Sequence, residues 1–363
     1  MGRNWRVDTL RGYFLMCMTL GHFANPLAKV TEYTFGYASS PDGFVFLSGL
    51  VSAWVYLPLL NQPRSAMSRK IYRRAGIIYL THIALVVTAL IAALHPGMAT
   101  QKINRAWQTL VSGAMLTNQT GFDRILPMYI VFLAFTPLIL RQFAAGRAWL
   151  IGIISAALWG AAQVGIGDWM PLDINRNQGN FNLLAWQAYF VAGQYLGYRG
   201  LREGTASLPK SRFLLTATAI VAALIMIDRH ALIAQAPFFD FSGHPDHNPI
   251  RFLDAACLGY LIWRVPRSID LALMKLRFFR FLNLLGGHSL QVFAFSMLLS
   301  RLEAHSVENF PWIGKAIVAV LTVLSLAIPA SIHQMLRRGS LDPVRAAFSF
   351  GGGRVASDVG PAH

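Results

Sequence analysis

Charge is scarce in this sequence. Only 13% of its 363 residues are Asp, Glu, Lys or Arg, against about 25% in ordinary soluble domains. That shortage, set beside a 55% hydrophobic content, argues against a soluble globular enzyme. Cysteine is nearly absent as well. Cys17 and Cys257 both fall in apolar runs, so they imply no disulfide framework and read as small buried hydrophobes. There is no Walker-type phosphate loop, no useful internal repeat and no separate soluble domain. The segment 1–24 resembles a signal peptide in hydrophobicity, yet it lacks a small-residue cleavage site and carries polar residues inside its apolar run. It is kept as a first membrane helix.

What is present is a series of apolar runs, each close to the roughly 20 residues that span a bilayer. Ten are expected, near 8–26, 41–60, 73–95, 124–143, 147–165, 181–199, 212–230, 251–266, 285–302 and 311–335. The fold class is therefore an all-α integral membrane protein of about ten transmembrane helices. Residues 1–338 read as a single domain and 339–363, with Gly351-Gly-Gly353, as a flexible cytoplasmic tail. The net charge of +16 sorts by loop. With the N-terminus inside, the cytoplasmic ends carry 23 of the 32 Lys and Arg residues. This is the positive-inside pattern and puts both termini in the cytoplasm. The basic residues read as bilayer anchors, so no nucleic-acid partner is expected.

The most informative stretch is Asp8 to His22. Arg11 and His22 are eleven steps apart, about 1100° on a helix, which returns both to one face. At about 1.5 Å per residue they lie roughly 16 Å apart along the axis. Asp8 shares that face and can hold the guanidinium. A cation near one membrane surface with an imidazole deeper suits a long anionic donor molecule, its phosphate end at the surface and its reactive end at the histidine.

Other polar residues admit two readings each. Asp42, in Pro41-Asp-Gly43, can cap the second span, or it can fix the His22 tautomer. Arg69, Lys70, Arg73 and Arg74, expected in a cytoplasmic loop and its margin, satisfy the positive-inside rule and also suit a polyphosphate nucleotide. His82 is a buried core residue or an intramembrane functional group. Residues 103–116 are expected to form an amphipathic surface helix. Trp186 reads as an anchor and Gln187 as an interhelical hydrogen-bond partner or a substrate contact. Arg251 sits at the outer edge, placed to grip a carboxylate. His288 precedes Ser289 on the cytoplasmic side; adjacent residues cannot both face one point on a helix, so a Ser–His nucleophilic pair is not expected, and His288 is placed over the nucleotide. His244-Pro-Asp-His247 offers two histidines but no further ligand, and no metal is expected.

Taken together, these residues resemble the OpgC family, a branch of the membrane acyltransferase-3 superfamily. Its signature, an Arg and a His in the first helix with ten residues between, is matched by Arg11 and His22. Asp8-Thr-Leu-Arg-Gly12, Gly43-Phe-Val-Phe-Leu-Ser-Gly49, Arg73-Arg74 followed by Tyr79 and His82, Ile125-Leu-Pro-Met-Tyr129, Leu184-Ala-Trp-Gln187, Pro249-Ile-Arg251 and His288-Ser-Leu290 extend the match. Where acyltransferase-3 relatives often carry a His after the Ser-Leu motif, this chain reads Phe293-Ala-Phe-Ser296. The resemblance implies a bacterial inner-membrane enzyme that moves an acyl group, succinyl in OpgC itself, from cytoplasmic acyl-coenzyme A to a periplasmic glucan. It implies no tightly bound cofactor, since acyl-CoA is a co-substrate. On this reading His22 is the general base with Asp42 behind it. Arg11, Arg69, Lys70, Arg73, Arg74 and His288 meet the coenzyme, while Asp8, His82, Trp186, Gln187 and Arg251 line the substrate path.

Overall fold

The computed structural model describes residues 4–31, 34–93, 100–116, 125–166, 182–203, 208–230, 248–307 and 309–338. Helices account for the regular structure, and no strand occurs among these residues. In chain order they are α1 (Trp5–Leu20), α2 (Ala28–Thr31), α3 (Ser40–Tyr56), running on into a 3₁₀ turn (Leu57–Asn61), α4 (Arg64–Ala93), α5 (Thr100–Ala114) and α6 (Ile125–Ala144). There follow α7 (Ala148–Gln163), α8 (Leu183–Glu203), α9 (Arg212–Arg229), α10 (Pro249–Arg264) and α11 (Arg267–Leu273). The chain closes with α12 (Arg277–Gly287), α13 (Ser289–Ser306), α14 (Trp312–Ser325) and α15 (Ala327–Arg338).

Each of the ten expected runs overlaps at least one helix among the described residues. Among the described residues, four helical segments are long and apolar enough to cross a membrane: Ser40–Asn61, Ser65–Ile91, Ile125–Ala144 and Trp312–Leu336. The α12–α13 pair makes a fifth if its bent halves are counted as one. Large apolar side chains face outward along these helices, among them Leu80, Phe135, Ile317 and Leu321. In water such a surface would aggregate; against lipid tails it is the stable arrangement. The protein is an all-α membrane protein.

Helix starts follow local sequence. The Asn4 side chain accepts from Val7 N at 3.2 Å and caps α1. Ser211 and Asn248 do the same for α9 and α10, the latter with Pro249 in the first turn, where its missing N–H is harmless. Four expectations shift. The first helix stops at Leu20, well before residue 26, because Gly21 caps it and Asn25 Nδ2 donates to Leu20 O and Phe23 O at 2.7 and 2.8 Å. Those bonds satisfy end carbonyls that another turn would otherwise need. The ninth run is broken at His288, where α12 and α13 meet at 95°. The tenth is jointed at Leu326; Pro329, lacking an N–H, cannot extend the ladder from α14. The fourth concerns the basic stretch expected in a loop, which belongs to the first turns of α4.

Small residues bring two helix pairs into backbone contact. A Cβ on Gly12 would lie 1.8 Å from Leu282 O, and one on Gly286 would lie 1.8 Å from Asp8 O, so α1 and α12 touch directly. Gly49 and Gly193 play the same part between α3 and α8, each with the other helix's carbonyl 2.0 Å from the added Cβ. Gly193 and Gly197 are four apart on α8, the small-xxx-small spacing that lets membrane helices approach. Inside that second pair, Gln194 Nε2 donates to Ser52 Oγ and Thr136 Oγ1 at 3.1 and 3.0 Å, tying α8 to α3 and α6. At the start of α1, Arg6 donates to the carbonyls of Ile262, Trp263 and Val265 and pairs with Asp270. One side chain thus closes the open end of α10 and fixes α1 beside it.

Candidate functional site

The break at His288 decides where the candidate residues meet. It turns α13 so that it runs alongside α1, in the same direction and in register. Arg11 Nη2 donates to Ser289 Oγ at 2.6 Å, and His22 Nδ1 lies 3.5 Å from Ser300 Oγ. Both pairs are offset by 278 residues. Eleven residues on continuous α13 separate the two contacts by about 16 Å. His22 sits in the turn after α1, held by its own N–H to Thr19 O at 3.3 Å. It therefore leaves the regular helix on which the eleven-step spacing was counted, yet it still faces the same neighbour as Arg11. The Arg11 guanidinium also lies over the Phe44 ring, 5.6 Å from its centroid. Asp8 lies one turn before Arg11 on α1, its carbonyl against Gly286.

Asp42 and Arg251 form a different cluster. Asp42 is fully buried (0% exposed) and closes a capping box with Ser39. Its Oδ2 accepts from Ser39 N at 2.8 Å and from Arg251 Nε at 2.8 Å, and its Oδ1 from Arg251 Nη2 at 3.0 Å. Arg251 also reaches Ser39 Oγ at 2.6 Å and lies over Trp186, 6.0 Å from the ring centroid. The carboxylate that Arg251 grips is thus Asp42's own, a two-point pairing between the starts of α3 and α10. The partners seen for Asp42 make it a helix cap and ion-pair member, where the other reading had it orient His22. Next to this pair, the fully buried Asp254 accepts from Ala38 N at 2.8 Å and pins the segment before α3.

The remaining candidates scatter. His82 is fully buried, its Nε2 3.1 Å from Gly113 O, while Tyr79 donates to Ala114 O at 2.9 Å. One face of α4 thereby satisfies the last carbonyls of α5, a structural task away from α1. Gln187 exchanges bonds with Ser155 on α7, accepting from its Oγ at 2.9 Å and donating to its carbonyl at 2.8 Å. That is the interhelical role. Arg69, Lys70 and Arg73 are exposed and Arg74 is partly buried, all on the opening turns of α4. His288 is buried, its Nδ1 2.7 Å from His333 Nδ1 on α15, with Gln291 Nε2 3.3 Å from His333 Nε2. His288 thus ties α15 to the bend, beside Ser289. Cys17 and Cys257 are buried thiols that take part in no disulfide. No cluster of three or more His, Cys, Asp or Glu suited to a metal occurs among the described residues; His244 and His247 lie outside them.

Ser300 and His333 carry no motif, and Ser296 enters the sequence only as the end of Phe293-Ala-Phe-Ser296. One signal was present for the serines: Ser289 and Ser300 repeat the eleven-residue interval of Arg11 and His22.

The fold and this strip define a membrane protein with a cation and an imidazole set along one shared helix–helix seam. The family model described as OpgC protein matches residues 3–338. The chain belongs to the OpgC family, and that membership makes it an acyltransferase. No curated protein and no solved structure matches the chain.

Proposed function

We propose that the protein transfers a succinyl group from cytoplasmic acyl-coenzyme A to hydroxyls of a periplasmic glucan, with His22 as general base. The observation that carries this reading is the α1–α13 seam, which holds Arg11 and His22 on one side about 16 Å apart. A donor with phosphates at one end and a thioester at the other is matched by a guanidinium at one end and an imidazole at the other. The proposed topology has ten spans in the bacterial inner membrane with both termini inside. The Arg11 end then faces the cytoplasm, together with the Arg69–Arg74 turns of α4.

In the proposed step, His22 removes the proton from a glucose hydroxyl. The oxygen attacks the thioester carbonyl, the carbon–sulfur bond breaks, and the coenzyme A thiolate leaves and takes up a proton from imidazolium or water. An ester and free coenzyme A result. Arg251 is left out of acyl recognition here because its fork is engaged by Asp42. Asp42 likewise serves the architecture in this reading.

The test is release of free coenzyme A by purified protein in detergent, given succinyl- or acetyl-CoA and periplasmic glucan. Glucan-dependent release with succinyl-CoA, reduced by about 10²–10⁴ in His22→Ala, is expected from loss of a general base. Preference for acetyl-CoA would change the acyl group. No thioester consumption by monodisperse wild type, or full activity in His22→Ala, would overturn the mechanism and favour a transporter.

A further inference from the structure

We propose that α13 is a positioning rail for this reaction, with Ser300 fixing the tautomer of His22 and Ser289 holding Arg11 in register. The inference rests on the transferase reading above and adds two residues that touch neither donor nor acceptor.

The first argument is a proton count. A serine hydroxyl has one hydrogen to give. That of Ser300 goes to Ser296 O, 2.8 Å away on the same helix. Towards His22 Nδ1, at 3.5 Å, Ser300 Oγ can therefore only accept. Nδ1 then carries the hydrogen, and the basic lone pair belongs to Nε2. A general base needs its lone pair on a defined nitrogen, and the hydrogen bond made by the other nitrogen decides which. The contact is at the long limit for a hydrogen bond; such bonds tighten as a site closes on its substrate.

The second argument is geometric. Ser300 is fully buried and Ser289 nearly so, and the equal 278-residue offsets place them as successive rungs between two parallel helices. The rungs exist because the chain turns through 95° at His288, and the turn is locked on both sides. Gly286 lies against the backbone of Asp8, and His288 meets His333. Residues that lock the bend thus control the spacing between the donor's charged end and the base.

A serine already bonded to its own helix can also be simple packing, and the two roles predict different kinetics. Ser300→Cys keeps the side-chain shape at a slightly larger size and replaces the oxygen acceptor by a weak sulfur one; Ser300→Thr keeps the hydroxyl. With acyl-CoA and glucan, Ser300→Cys is expected to lower kcat about fivefold to tenfold, the worth of one neutral hydrogen bond, with KM for acyl-CoA unchanged. Ser300→Thr restores kcat. Ser289→Ala is expected to act the other way, raising KM for acyl-CoA severalfold with kcat nearly intact. Equal kcat in Ser300→Cys and wild type overturns the proposal, as does a loss that Ser300→Thr fails to restore, or a change confined to KM. In each of those cases an active wild type and an inactive His22→Ala leave the transferase itself standing. An inactive wild type would instead remove the transferase reading beneath it.

Discussion

Two charged clusters in this protein are built in opposite ways. At the start of α3, Asp42 and Arg251 close on each other through two points, with Ser39 and Trp186 completing the shell. Along α1, Arg11 and His22 meet serine hydroxyls, one at each end of a parallel helix. A buried carboxylate–guanidinium pair spends its electrostatics on architecture; removing one member strands the other in a medium that solvates it poorly. A serine hydroxyl orients the cation or imidazole it meets without itself bringing a charge. The lesson is that charge inside a membrane marks function only after its partners have been inspected. By residue type, Arg251 and Arg11 are equal candidates.

The comparison can be broken or sharpened by experiment. The largest stability effect is expected at the closed pair. Asp42→Asn should destabilise the folded protein by about 3–5 kcal/mol, as for a buried ion pair that loses one partner. Adding Arg251→Met should recover part of that loss. Thermal unfolding in detergent reads both; a drop in the double variant equal to the sum of the singles would show the residues to be independent. Next come the seams that both clusters depend on. Gly12→Ala or Gly286→Ala pushes a methyl into a facing backbone carbonyl and should cost about 1–3 kcal/mol, visible as a lower melting temperature. Because α12 leads into the bend, the same variants should also weaken acyl transfer.

Arg11→Lys keeps the charge and loses the planar fork. It should raise KM for acyl-CoA about tenfold while leaving the melting temperature near wild type; an unchanged KM would place the coenzyme elsewhere. The smallest effect is expected at the exposed Arg199–Glu203 pair of α8. Glu203→Gln should change neither unfolding nor transfer measurably, since such a pair is screened by solvent.

Much of the architecture was legible in the chain. Apolar runs of bilayer length, polar residues that cap helices and the motifs from Asp8 to Leu290 point to the same helical membrane fold and the same family. The amphipathic helix expected over 103–116 is found as α5. The site was legible only in part. The interval between Arg11 and His22 indicated a shared face, and both do face α13, although Asn25 ends the helix before His22. Asp42, His82 and Gln187 each admitted a structural and a chemical reading, and Arg251 a chemical one, because ionisable or amide groups are rare in apolar helices. Each has a partner that no local pattern could name: Arg251 for Asp42, the carbonyl of Gly113 for His82, Ser155 for Gln187.

By itself the sequence determined that the chain is helical and apolar enough for a membrane, and how helices such as α1, α9 and α10 are capped, because capping, proline chemistry and hydrophobicity act over a few residues. It also determined the family, through motifs read in order. Only the tertiary structure decided which polar groups neutralise each other and which lie along a shared seam. The reason is the break at His288, a local bend whose consequence is long-range. It sets α13 beside α1 and brings Ser289 and Ser300 to residues 278 positions away, a pairing set by Gly12 against Leu282 and Gly286 against Asp8 rather than by any spacing along the chain.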